Sequence, residues 1–125
     1  MRAKGYYYES LFRTEALARG LQVWVPEGDH TQSDAGVWVN GTLLRVQVKG
    51  RDKLDTEHGA IVTTGCGSRH NIPYRDVDVF AVYLERDRAW WIIPWSAVRG
   101  KSGIYIGGDG GQYAKYKDNW AELGA

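Results

Sequence analysis

The chain has 125 residues, 43% of them hydrophobic and 25% charged, with a formal net charge of +1. That length supports one domain, residues 1–125, with a real core and no need of metal or disulfide staples, and the composition excludes bulk disorder. A charge this close to neutral argues for no overall basic field, so any nucleic-acid contact would have to be a local groove. The single cysteine, Cys66, cannot form an intramolecular disulfide, and no signal peptide or apolar run of spanning length is present, so a soluble cytoplasmic protein without a membrane partner is expected. Eight Tyr and six Trp suit cores, subunit interfaces or stacking on bases.

In chain order, Tyr8, Leu11, Phe12, Ala16 and Leu17 recur at helical spacing and Gly20 stands where a C-terminal cap belongs, which predicts a helix from Tyr6 to Arg19. "LQVWVP" reads as a short strand stopped by Pro26. Asn40-Gly41 then predicts a type I′ turn, hence a hairpin in which Val39 faces Thr42 and, continuing the register, Asp34 faces Gln47. "AIVTT" is strand-like, and "TGCGSRHNIP" is a polar loop. "DVDVFAVYL" and "AWWIIP" predict a second hairpin across the charged turn "ERDR". Of the adjacent Trp90 and Trp91, alternation buries one and leaves the other for a subunit interface. "SGIYIGGDGGQ" is a short apolar piece running into a glycine-rich loop without the Lys-Ser/Thr of a phosphate-binding loop. "YAKYKDNWAEL" predicts a closing helix with Tyr113, Tyr116, Trp120 and Leu123 on one side. The order of elements gives an α+β (α/β) protein on a mixed sheet.

The first hairpin carries the chemistry. Alternation turns Leu43, Arg45, Gln47 and Lys49 to one face and Leu44, Val46 and Val48 to the other, so a carboxylate, an amide oxygen and an ammonium meet at one end. Oxygen ligands of this kind suit Mg²⁺ bound against a phosphate, and a lysine nearby suits orienting water or stabilising phosphate charge, which suggests metal-assisted hydrolysis. The same alternation would also arise on the solvent face of a half-buried hairpin. His30, His58, His70 and Cys66 fall at no zinc-site spacing.

"SDAGVWVNGTLLRVQVK" resembles the core signature of the PD-(D/E)XK nuclease superfamily, in which an Asp starts one strand and an acidic residue or Gln precedes Lys by two on the next. More narrowly, the chain is similar to a small endonuclease branch with Gln in that slot, which includes a homing endonuclease of group I introns. "KGYYYESLFRTEALARG", "YRDVDVFAVYLERDRAWWIIP" and the aromatic C-terminal segment extend the resemblance over nearly the whole chain. Ser33 stands where the superfamily has Pro.

The resemblance implies a restriction-endonuclease-like core, a mixed sheet flanked by helices, and a DNA endonuclease of homing or restriction type. It implies Asp34 as the central metal ligand, Glu9 as a second carboxylate from the helix, Gln47 as a neutral oxygen ligand, the Val48 carbonyl as a further ligand and Lys49 as the residue assisting the attacking water. The cofactor implied is Mg²⁺, with Mn²⁺ able to substitute. Glu15 is the alternative helical carboxylate, but six residues is about 600° of helix, so both cannot face one site. Arg45, Arg51, Lys53, Arg69 and His70 are candidate DNA contacts. Cutting both strands needs two sites, so a homodimer or homotetramer is expected. The competing readings are a structure-selective nuclease such as a Holliday junction resolvase, and a non-catalytic nucleic-acid-binding or assembly domain.

Overall fold

In a computed structural model of the chain, residues 3–27, 32–66, 72–107 and 111–125 are described. Helix α1 spans Ala3–Ala18, and among the described residues nine strands follow: β1 Gln22–Trp24, β2 Ala35–Val39, β3 Thr42–Arg51, β4 Gly59–Thr63, β5 Gly65–Cys66, β6 Ile72–Pro73, β7 Val79–Leu84, β8 Ala89–Pro94 and β9 Gly103–Gly107. The main sheet runs β1-β2-β3-β7-β8, with β3 and β7 parallel and the other pairs antiparallel. It is the expected mixed sheet.

Helix α1 buries Tyr8, Phe12 and Ala16, one stripe at four-residue spacing. Its end is a Schellman cap. Gly20 takes φ +81°, its N–H donates to the Leu17 carbonyl, and the Leu21 N–H donates to that of Ala16. The helix begins three residues earlier than its apolar pattern predicts, and Lys4 in that extra turn is ion-paired with Glu85 at 3.0 Å. Asn40 and Gly41 both take positive φ, and the hairpin they close has the expected register from Val39↔Thr42 to Ala35↔Val46. The second hairpin also forms, from Leu84↔Ala89 to Val79↔Pro94.

Both faces of the sheet are covered, by different means. On one face α1 joins Val46, Val48, Val79, Ala81 and Trp90. Phe12 stacks on Trp120 there, centroids 5.8 Å apart, and its complete burial contributes about 1.5–3 kcal/mol. On the other face the cover is no helix but the β4–β9 ribbon, whose Ala60, Val62, Ile104 and Ile106 pack on Phe80, Val82, Trp91 and Ile93. Among the described residues α1 is the one α-helix, so the expectation of helices flanking the sheet holds for one face only. Double cover explains why Trp90 and Trp91 are both buried, one in each core, and why neither is left for a subunit interface.

The expected C-terminal helix is two short 3₁₀ turns, Ala114–Tyr116 and Trp120–Leu123. Between them Asp118 takes φ +54°, and Lys117 bridges to Trp91 of β8. The segment wraps the β8 edge of the sheet: Tyr113 enters the core under the ribbon, while Trp120 and Leu123 enter the core under α1. A continuous helix would hold these side chains on one side. No described helix is long and apolar enough to cross a membrane.

Candidate functional site

Strand β3 changes partner along its length. It pairs with β2 over Thr42–Val46 and with β7 over Val46–Arg51, the two ladders sharing only Val46. The Asp78 N–H donates to the Arg45 carbonyl at 2.8 Å, and the Glu85 N–H to that of Arg51 at 3.1 Å. Alternation therefore turns the peptide groups of Arg45, Gln47, Lys49 and Arg51 toward β7 and those of Val46, Val48 and Gly50 toward the β2 side. Because β2 starts at Ala35, no described strand pairs with β3 on that side beyond Val46.

Asp34 lies at the head of this open edge. Its N–H donates to the Val46 carbonyl at 2.7 Å, although Val46 is the residue opposite Ala35. Two consecutive residues thus address one, as in a β-bulge, and Asp34 is displaced from the direct pairing with Gln47 that the hairpin register predicts. Its carboxylate turns onto β3 instead, where Oδ2 accepts the Val48 N–H at 2.8 Å. The Val48 carbonyl, by the same alternation, faces the open edge.

Helix α1 closes the other side. A Cβ on Gly50 would stand 2.3 Å from the Tyr8 ring, so glycine is what allows that ring to lie against β3. The Tyr8 hydroxyl donates to Glu85 Oε2 at 2.5 Å, alongside Lys4. Burial, reinforced by that bond, raises the Tyr8 pKa, while the Tyr8 and Lys4 hydrogen bonds hold Glu85 below the usual carboxylate range. The residue after this anchor is Glu9.

The result is a cleft of about 510 Å³ whose lining includes Glu9 from α1, Asp34 from the head of β2, and Gln47, Val48, Lys49 and Arg51 from β3. Glu15, the alternative carboxylate, is elsewhere, ion-paired with Arg19 at 3.2 Å. Two carboxylates, an amide and a backbone carbonyl on one cleft are the kinds of oxygen donor that a hard divalent cation takes. Among the described residues no group of three or more His, Cys, Asp and Glu is gathered for a metal, so such a set depends on Gln47 and the backbone.

The candidate basic residues separate. Arg51 is on the cleft and is ion-paired with Asp55 at 3.2 Å. The Ile61 N–H and the Arg51 guanidinium hold Asp55 below the ordinary carboxylate range. Lys53 is exposed in the turn after β3. Arg45 is turned away from the cleft into ion pairs with Asp78 at 3.0 Å and Asp76 at 3.3 Å. Arg69 and His70 lie outside the described residues.

Two residues that sequence reasoning passed over belong to this neighbourhood. The Lys49 ammonium donates to the Tyr74 hydroxyl at 3.0 Å and to Thr63 Oγ1 at 3.4 Å. Neither has a local signature, since the contacts cross 25 and 14 positions of sequence.

A mixed sheet with a parallel central pair, an α-helix on one face and a polar cleft at the open strand edge make a restriction-endonuclease-like fold. Residues 2–112 match the model of the PD-(D/E)XK endonuclease family, and the chain belongs to that family, whose nucleases generally use divalent metal ions. The fold is similar to the structure of a bacterial homing endonuclease, I-Ssp6803I, with a TM-score of 0.84 at 24% identity, covering 98% of this chain and 92% of that one. It is also similar to Hjc of Archaeoglobus fulgidus, a Holliday junction resolvase from an archaeal hyperthermophile, with a TM-score of 0.54 at 18% identity over 84% of each chain. At these identities the likeness is one of fold. No curated protein matches the chain.

Proposed function

We propose that the protein is a cytoplasmic Mg²⁺-dependent DNA endonuclease of homing or restriction type, a single nuclease domain that works as a homodimer or homotetramer. The observation that supports this most is the lining of one cleft by Glu9 of α1, Asp34 just before β2, and Gln47 and Lys49 of β3. In this reading the carboxylates of Glu9 and Asp34, the amide oxygen of Gln47 and the Val48 carbonyl hold the cation, and Mn²⁺ can replace Mg²⁺. The bound ion supplies Lewis-acid polarisation of a phosphoryl oxygen. Lys49 orients the attacking water and stabilises charge developing on the phosphate. Gln47 lowers the ligand charge by one relative to a carboxylate there, so cation affinity is weaker than a three-carboxylate set would give.

Arg51 and Lys53 follow β3 outward and are assigned to phosphates flanking the scissile bond, as are Arg69 and His70. Arg45 supports the site from behind by fixing Asp78 where β3 takes up its β7 partner. One domain offers one cleft, and a symmetric pair of copies is the economical way to cut both strands.

The test is incubation of plasmid, single-stranded and four-way-junction DNA with the protein, in Mg²⁺ and in chelator. Cleavage of plasmid in Mg²⁺, its loss in chelator, and its fall by at least about a hundredfold in Lys49→Ala are expected. Equal nicking by wild type and Lys49→Ala overturns the assignment. Selective cutting of the junction would make the protein a resolvase instead.

A further inference from the structure

The Lys49 ammonium is held by two residues that are not part of the cleft's lining. Besides its bonds to Tyr74 and Thr63, it lies 5.2 Å from the centroid of the Tyr74 ring. Tyr74 is itself fixed, since its ring meets buried Phe80 edge-on with centroids 5.6 Å apart. Thr63 is fixed as the last residue of β4, paired with Gly103 of β9. An ammonium has three N–H donors on a flexible four-carbon stem. Two of them meet hydroxyl oxygens on fixed parts of the fold, and Lys49 is among the residues that line the cleft.

We propose that Tyr74 is a positioning residue for Lys49: its hydroxyl fixes the ammonium so that the remaining donor is directed into the cleft, toward the phosphate under attack. The inference rests on the nuclease reading above. Tyr74 carries it rather than Thr63, because its bond is the shorter. A freely rotating lysine would sample many orientations, and a misplacement of about 1 Å in a reacting group is enough to cost a large rate factor.

Tyr74→Phe isolates the hydroxyl, because it keeps the ring on Phe80. Two measurements are needed. The first is single-turnover cleavage of plasmid in Mg²⁺ beside DNA affinity in chelator, where the rate should fall about tenfold with affinity unchanged within about twofold. The second needs no metal or DNA: acetylation of Lys49 by an amine-reactive reagent, read by peptide mass spectrometry, should rise severalfold once the hydroxyl is gone. Equal labelling of Lys49 in both proteins removes the contact and overturns the inference, whether or not DNA is cut. Raised labelling with an unchanged cleavage rate overturns the positioning role. A loss of DNA affinity that accounts for the lost rate assigns Tyr74 to DNA and overturns it as well. A wild type that cuts no DNA defeats the nuclease reading, and the inference falls with it.

Discussion

Asp34 and Asp78 perform the same backbone task at the two places where β3 lacks a strand partner. Asp78 Oδ2 accepts the Arg45 N–H at 2.8 Å, just before the β7 ladder begins, and Asp34 Oδ2 accepts the Val48 N–H at 2.8 Å, just after the β2 ladder ends. Their surroundings differ. Asp78 also receives the Arg45 guanidinium through Nε and Nη2, so its charge is matched within the fold. Asp34 lines the cleft that Glu9 lines as well. A carboxylate at a strand end is thus a structural device first, and it becomes a candidate for chemistry where it also lines a cleft that a second carboxylate lines.

Exchanging each carboxylate for its amide breaks the comparison apart. Asp34→Asn retains an oxygen for the Val48 N–H, so its melting temperature should stay within about 3 °C of wild type. Plasmid cleavage in Mg²⁺ should nonetheless fall about a thousandfold, because the negative charge at the cleft is gone. If Asp34→Asn melts early and still cuts, the two aspartates are alike and both are structural.

Of this pair Asp34 was legible in the sequence, and its contrast with Asp78 was not. Asn40-Gly41 fixes a hairpin through the backbone demands of two residues, so the placing of Asp34 near Gln47 could be read locally. The bulge that shifts Asp34 by one residue leaves no mark, since Ser33, Asp34 and Ala35 carry no bulge-forming glycine. The change of partner at Val46 is equally silent, because parallel pairing with β7 joins segments about thirty residues apart and depends on what fills both faces. The same ignorance of cover misassigned Trp90 and Trp91, and it made one helix of a C-terminal segment whose apolar residues serve two cores. The Glu9 position rested on family resemblance, and its physical support, the Tyr8 ring against Gly50, is a contact between distant segments that no periodicity reveals.

That contact gives the next largest effect and sharpens what is special about the Asp34 side. Gly50→Ala drives a methyl group into the Tyr8 ring, which must shift, and Tyr8 is tied to Glu85 on its far side. A destabilisation of about 1–3 kcal/mol is expected from chemical denaturation. Cleavage should fall about tenfold beyond what the unfolded fraction explains, because Glu9 moves with Tyr8. A Gly50→Ala protein that loses stability but keeps its specific activity would detach Glu9 from the site.

The smallest effect is expected at Asp78, and pH exposes it. Hydrogen bonding from the Arg45 side chain, then from its backbone N–H, outweighs burial and holds the Asp78 carboxyl below its ordinary value. A carboxylate depressed in the folded state stabilises the protein above its unfolded pKa of about 3.9, and that stabilisation is lost as the pH falls through the folded value. Asp78→Asn should therefore cost about 1 kcal/mol at pH 7, a figure kept low because the Arg45 and Asp78 side chains are 42% and 33% exposed. The deficit should hold down to about pH 4 and close below it, as wild type takes up the proton that the amide never needed. Cleavage at pH 7 should stay within about threefold of wild type, since Asp78 does not line the cleft. Urea melts of the two proteins from pH 7 to pH 2.5 read the difference directly, and a gap that widens on acidification would show that Arg45 is not what holds the Asp78 charge in place.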